Sequence, residues 1–143
     1  MAKVNKSITI NAPVDKIFNY ATDQTNMPEI WPSMVENKVL ERLPNGGTKS
    51  QYVYKMAGMR FEGISIDTEF IPNQRTVSKT EGGIESEITW EYQSEGDATK
   101  VTFGAEYTIP IPLIGKLAEA FIVKQNENEA EIILANLKAR MEE

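Results

Sequence analysis

Between Val35 and Ile109 the chain alternates apolar and polar residues in six segments, and the connections "LPNGGT", "AG", "PNQ", "GG" and "SEGDA" run from two to six residues. Parallel neighbours need a crossover of about a dozen residues, so these connections admit only antiparallel pairing. The alternation is cleanest in the last two segments. Ile84, Ile88, Trp90 and Tyr92 share one face against Glu85, Glu87, Glu91 and Gln93; Val101, Phe103, Ala105, Tyr107 and Ile109 then oppose Thr102, Gly104, Glu106 and Thr108. One face is buried and the other wet. An apolar sheet face must be covered by something.

The C-terminal segment is the only element long enough to cover it. Residues 113 to about 142 would make a rod of ~45 Å. In the second half Ala130, Ile133, Leu134, Leu137 and Met141 form one stripe, assigned to packing on the sheet. In the first half Ile114, Leu117, Ala118 and Phe121 fall on nearly the opposite side, so the helix bends or that half meets a second apolar surface. Pro110 and Pro112 end the last strand, and Pro112 suits a helix's first turn. At the other end, "KVNKSITI" alternates as a strand through Val4, Ile8 and Ile10. Pro13 and Asp15 open a helix carrying Val14, Ile17, Phe18 and Ala21, and a second short helix covers "TNMPEIW" with Thr25 as its N-cap. The expectation is an α+β fold in one domain over residues 1–143: a seven-stranded, curved antiparallel sheet wrapped around a long C-terminal helix, with two short helices after strand 1.

Composition removes whole classes of chemistry. The chain has no cysteine and no histidine, which excludes thiolate nucleophiles, Ser-His-Asp triads, Cys/His zinc sites and imidazole proton shuttles. No metal site and no cofactor are expected. With 15 Lys and Arg against 21 Asp and Glu, and no basic face, nucleic acid is a poor partner. No apolar run is long enough to cross a bilayer, "MAKVNKSITI" lacks the apolar core of an export signal, and zero cysteine fits a reducing compartment; the expected location is the cytoplasm.

Candidate site residues follow from strand facing. Across "AG", Met56 falls opposite Met59 and Tyr54 opposite Phe61, which puts two methionines and two aromatics at a hairpin tip. Across Gly82-Gly83, Val77 falls opposite Ile88 and Arg75 opposite Trp90, so the register puts Arg75 on the apolar face, as an anchor for an anionic head group or a stack on the indole, against a strand-end arginine that reaches solvent past its stem. Trp90, Tyr92, Phe103 and Tyr107, with Tyr52 and Tyr54, give the inside more polar-tipped aromatic surface than a packed core requires. With Leu134 from the helix stripe, these residues are the expected lining of a ligand cavity; the alternative is an ordinary filled core. Asp67 and Glu69 stand two apart, the spacing of a carboxylate pair, and are assigned to a solvated outer face; Gly63 is read as a bulge that leaves the facing beyond it open. Ile114, Leu117 and Phe121 offer a contact for a homodimer or a protein partner, against burial on the sheet's rim.

The pieces "NAPVDKIFNYATD", "MPEIWPSMVE", "IPNQRTVSKTEGGIESEITWEY" and "GAEYTIPIPLIGKLAEAF" together resemble the SRPBCC superfamily, which holds START lipid-transfer domains, birch pollen allergen-like proteins, polyketide cyclases and a group of carbon monoxide dehydrogenase components. The resemblance implies a helix-grip fold and a cavity between sheet and long helix. It implies binding or transport of a hydrophobic small molecule such as a lipid, isoprenoid, quinone or polyketide. Two other roles remain open: a polyketide cyclase or aromatase working without His or Cys, and a co-chaperone-like interaction module.

Overall fold

The computed structural model describes residues 1–143. Strand β1 (Ala2–Ile10) is followed by helix α1 (Val14–Ala21), a 3-10 turn (Gln24–Asn26) and the one-turn helix α2 (Met27–Ile30). Six strands come next: β2 (Met34–Arg42), β3 (Thr48–Met56), β4 (Met59–Ile71), β5 (Arg75–Glu81), β6 (Ser86–Glu95) and β7 (Ala98–Tyr107). Helix α3 (Lys116–Met141) closes the chain. All seven strands form one antiparallel sheet in the order β1-β7-β6-β5-β4-β3-β2, so consecutive hairpins carry the chain from β2 to β7 and β1 pairs with β7. The curved sheet grips α3, which is the helix-grip architecture of the α+β class.

Local chemistry explains the element ends. Pro13, extended at φ −69°, precedes the first residue of α1, where its missing N–H costs nothing, and Asp15 meets the positive helix end. Thr25 does not cap α2. Asp23 instead accepts the Thr25 backbone N–H at 3.1 Å and its hydroxyl at 2.6 Å, which closes the 3-10 turn ahead of the helix. Pro110 and Pro112 do end the β7 ladder, but α3 starts only at Lys116, because Leu113 takes the left-handed conformation at φ +57°.

The second half of α3 behaves as its stripe requires. Ala130, Ile133, Leu134, Leu137 and Met141 are buried in one cluster with Val4, Ile10, Val101 and Phe103 from the sheet and Ile17 and Phe18 from α1. Each large apolar side chain among them contributes about 1.5–3 kcal/mol on burial. Of the first-half stripe only Ile114 packs on this core; Leu117 and Phe121 are 90% and 64% exposed.

Two registers decide which side chains face α3. The two-residue Ala57-Gly58 connection fixes Met56 opposite Met59 and Tyr54 opposite Phe61, as expected. Between β5 and β6 the ladder ends at Thr80 and Ser86, one residue out of the expected register, so Thr76 faces Trp90 and Arg75 faces Glu91. A one-residue slip turns every side chain over. Thr76, Ser78 and Thr80 therefore face inward, while Arg75 lies outside and pairs with Glu69 and Glu91, each at 3.3 Å. Half-exposed pairs of this kind contribute about 0–1 kcal/mol.

The slip is fixed by Tyr52. Its hydroxyl accepts the Ile84 backbone N–H at 2.9 Å and donates to the Ile84 carbonyl at 3.1 Å, which holds Ile84 out of β6 and lengthens the connection. Gly63 is not a bulge. It lets Tyr52 lie across β4, since a Cβ there would fall 2.5 Å from the tyrosine oxygen. The irregularity of β4 sits between Asp67 and Glu69: unbroken alternation from Ser65 carries Asp67 inward, and the irregularity then turns Glu69 outward.

Candidate functional site

Sheet and α3 enclose a cavity of about 110 Å³. Its walls differ in chemistry. One wall is aromatic: Trp31 meets Tyr54 and Phe103 edge to face, with ring centroids 5.9 and 5.4 Å apart, and Phe103 meets Trp90 at 5.0 Å. Such contacts add about 0.5–1.5 kcal/mol each beyond area burial, so this wall is stiff.

The neighbouring part of the same sheet face is polar. Ser65 on β4, Thr80 on β5 and Ser86 on β6 stand in register, and Asp67 and Ser78 form the neighbouring pair. Asp67 is only 5% exposed. Its Oδ2 accepts the Thr48 N–H at 2.8 Å and the Thr48 hydroxyl at 3.4 Å, and its Oδ1 accepts the Ser78 hydroxyl at 2.6 Å. Gly47 permits this approach: a Cβ there would lie 2.5 Å from the Asp67 Cβ. A buried carboxylate is costly unless hydrogen-bonded, and here donors rather than a cation hold it.

The second carboxylate in the lining is Glu129 of α3, and no lysine or arginine accompanies either one. Its Oε1 accepts the Tyr54 hydroxyl at 2.7 Å and the Trp31 indole N–H at 3.1 Å; its Oε2 accepts the Ser33 N–H at 3.0 Å and the Ser33 hydroxyl. This network ties α3 to β3 and to the connection before β2. Asn126, one turn earlier, donates to the Tyr107 hydroxyl at 2.7 Å.

Of the residues expected to line the cavity, Tyr52, Tyr54, Met56, Trp90, Phe103 and Tyr107 do so. Met59 is 47% exposed at the hairpin tip, and Phe61 packs beside the core without reaching the cavity. Arg75 is outside, for the reason of register given above. Tyr92 and Leu134 are buried in the core, where Tyr92 stacks edge to face on Phe18 at 5.2 Å, and neither reaches the cavity. Asp67, expected on a solvated outer face, lines the cavity instead, because β4 has no bulge at Gly63 and unbroken alternation puts Asp67 on the same face as Ser65. Ser78, Asn37 and Glu129 join the lining without having been expected there, although Glu129 carries a readable signal. It falls three residues after Asn126 and four before Ile133, on one helix face.

Buried phenols give the site a pH signature. Burial, then the Glu129 charge and hydrogen bond, push the Tyr54 phenol far up; burial alone does so for Tyr92, and burial also raises Tyr107. Tyr20 is pushed up to about 12 by burial and by its bond to Glu29. The unfolded phenols ionise near pH ~10. Above that pH the folded chain holds more protons than the unfolded one, so stability falls as pH rises. Each phenol kept neutral removes ~1.4 kcal/mol per pH unit. Stability should therefore hold up to about pH 10 and collapse above it, with phenolate absorbance appearing together with unfolding. Free titration of every tyrosine in a still-folded protein would contradict this.

No group of three His, Cys, Asp or Glu stands close enough to hold a metal ion, and no helix is long and apolar enough to cross a membrane. The family model described as "Polyketide cyclase / dehydrase and lipid transport" matches residues 1–142. No curated protein matches the sequence at a significant level. Among solved structures, a Thermus thermophilus protein superposes with a TM-score of 0.85 at 23% identity, covering 97% of this chain and 96% of its own. A START superfamily protein from Mycobacterium smegmatis gives 0.83 at 17% identity over 99% and 98% of the two chains. The Zhui aromatase/cyclase of a Streptomyces species gives 0.80 at 14% identity over 98% and 93%. At these identities the likeness is one of fold.

Proposed function

The chain belongs to the polyketide cyclase / dehydrase and lipid transport family, and from that premise we propose that it binds, and carries, a hydrophobic small molecule in the cavity between its sheet and α3. The observation that supports this reading is the lining: stiff aromatic side chains stand beside a row of hydroxyls around unfilled space. A sheet face meant only for packing would carry apolar side chains at Ser65, Ser78 and Thr80.

Size limits the occupant. At about 110 Å³ the cavity is smaller than the ~150 Å³ cavity that takes benzene, and well below the ~300–1,000 Å³ of drug-sized sites. At most one small ring has room in the cavity as it stands; a multi-ring polyketide, quinone or lipid enters only if the walls part. The β3–β4 tip is suited to that movement, because Met56 lines the cavity, Met59 is in solvent, and methionine repacks readily. Two of the three tyrosine hydroxyls in the lining are already committed. Tyr52 and Tyr54 are spent on Ile84 and Glu129, whereas Tyr107 accepts from Asn126 and keeps its own O–H to donate.

A cyclase-type reaction is a second reading, favoured by one feature: Asp67 is a carboxylate inside the cavity, fixed by donors on both oxygens, where it could take a proton from carbon beside a carbonyl. Action in the cytoplasm, and a homodimer or partner contact through the exposed Leu117 and Phe121 without the core-packed Ile114, belong to the same proposal.

Gentle isolation from the host, native mass spectrometry and organic extraction test it. A stoichiometric apolar adduct is the expected result. Re-adding that compound at 100 times its Kd should contribute about 2.7 kcal/mol, a melting shift of roughly 5–10 °C. Recovery of the compound unchanged supports a carrier, and conversion supports the cyclase reading. An apo mass with no shift from lipid, quinone and polyketide panels would remove both.

A further inference from the structure

We infer that Asp67 sets the cavity's specificity: it selects ligands that present a hydrogen-bond donor, hydroxyl or ammonium, and rejects those that present a carboxylate. This rests on the cavity being a binding site at all, as proposed above. The lining contains Asp67 and Glu129 and no Lys or Arg. Arg75, the cation that an inward-facing β5 would have supplied, points away to Glu69 and Glu91. An anionic ligand would enter a partly buried site holding like charge and no counter-charge, which is how a site discriminates by repulsion.

The acceptors, in contrast, have capacity left. A carboxylate offers about four lone-pair sites. Asp67 uses three, one of them in a long 3.4 Å contact with the Thr48 hydroxyl. Gly47 on one side and the Ser78 hydroxyl on the other hold the group in place. A second observation points the same way. Asn37 also lines the cavity, and its Oδ1 is buried with no hydrogen-bond partner, while its amide nitrogen is spent on Gln24 at 3.3 Å and the Met34 sulfur at 3.4 Å. A buried acceptor left unmade is costly, so the site favours an occupant that brings donors.

The test uses three probes that share a phenyl ring and a short chain: phenethyl alcohol, phenethylamine and hydrocinnamate. Each is titrated into the full chain at neutral pH and followed by amide chemical shifts. The alcohol and the amine should bind at least about tenfold more tightly than hydrocinnamate and should move the Thr48 amide, whose proton sits on Asp67. Asp67→Asn should bring the three affinities within about threefold of one another. If that variant does not fold, the ranking in the parent and the Thr48 shift still decide. Hydrocinnamate binding as tightly as the other two overturns the inference while leaving the binding proposal intact. No binding by any probe overturns both.

Discussion

Gly63→Ala is expected to lower the melting temperature by about 10 °C or more, equivalent to ~3–5 kcal/mol in a domain of this size. The new methyl would lie 2.5 Å from the Tyr52 hydroxyl oxygen, 2.7 Å from its Cζ and 2.6 Å from the Glu81 carbonyl oxygen. The last contact is with backbone, which cannot swing aside. If Tyr52 moves instead, the Ile84 N–H and carbonyl lose the hydroxyl that serves both. The Ile84 carbonyl keeps a bond from Thr80 at 2.6 Å, but its buried N–H would be left unpaired, at about 1–3 kcal/mol. Circular dichroism melts of Gly63→Ala and of Gly63→Ala with Tyr52→Phe separate these contributions. The double variant should gain nothing, because the ring carbon and the Glu81 carbonyl still collide. A melting point within about 2 °C of the parent would sink this account of the β5–β6 connection.

That connection also marks where the sequence stops being readable. The facing of β6 and β7 is legible because strict alternation leaves one register that buries Trp90, Tyr92, Phe103 and Tyr107 together. The Met56–Met59 pairing is legible because a two-residue turn leaves no freedom. Gly82-Gly83 carries no such information: two glycines fit a two-residue turn and the longer connection found here, and only the Tyr52 bond to Ile84, remote in sequence, selects the longer one.

The error then compounds for a physical reason. Alternation on β5 points Val77 inward if apolar means buried against the core, yet Thr76, Ser78 and Thr80 face α3. A sheet face that lines a cavity does not follow the rule for a face that packs, so local patterning fails at β5. The facing of Asp67 is lost by reading Gly63 as a bulge, whereas Gly63 serves a close approach and plain alternation from Ser65 turns Asp67 inward; the irregularity that separates it from Glu69 has no mark in the sequence. Glu129 lay within reach. It interrupts the inward face of α3 between Asn126 and Ile133, and a charged residue on such a face asks for partners.

Those partners make Glu129→Ala the variant with the largest expected effect on the cavity wall, a loss of about 3–5 kcal/mol. Four donor groups point at this one carboxylate: the Tyr54 hydroxyl, the Trp31 indole and the Ser33 amide and hydroxyl. Bonds to an ionised acceptor are worth about 1.5–3 kcal/mol each, and water entering the half-buried gap offsets part of the sum. Glu129→Gln should cost roughly half as much, because its carbonyl still serves Tyr54 and Trp31 while its NH2 faces two donors on Ser33. A stability loss could come from any lost contact, so the second readout is the Tyr54 phenol. Burial raises its pKa first and the Glu129 charge raises it further; removing the charge leaves burial alone. The alkaline titration of that phenol should therefore begin at lower pH in Glu129→Gln than in the parent. Arg75→Ala supplies the contrast, since it also deletes a paired charge but one whose side chain is 39% exposed, and it should cost no more than about 1 kcal/mol. If Glu129→Ala costs as little as Arg75→Ala, the carboxylate is a surface charge that happens to touch Tyr54. A large difference, with the phenol shift, makes it the tie that holds α3 over the cavity.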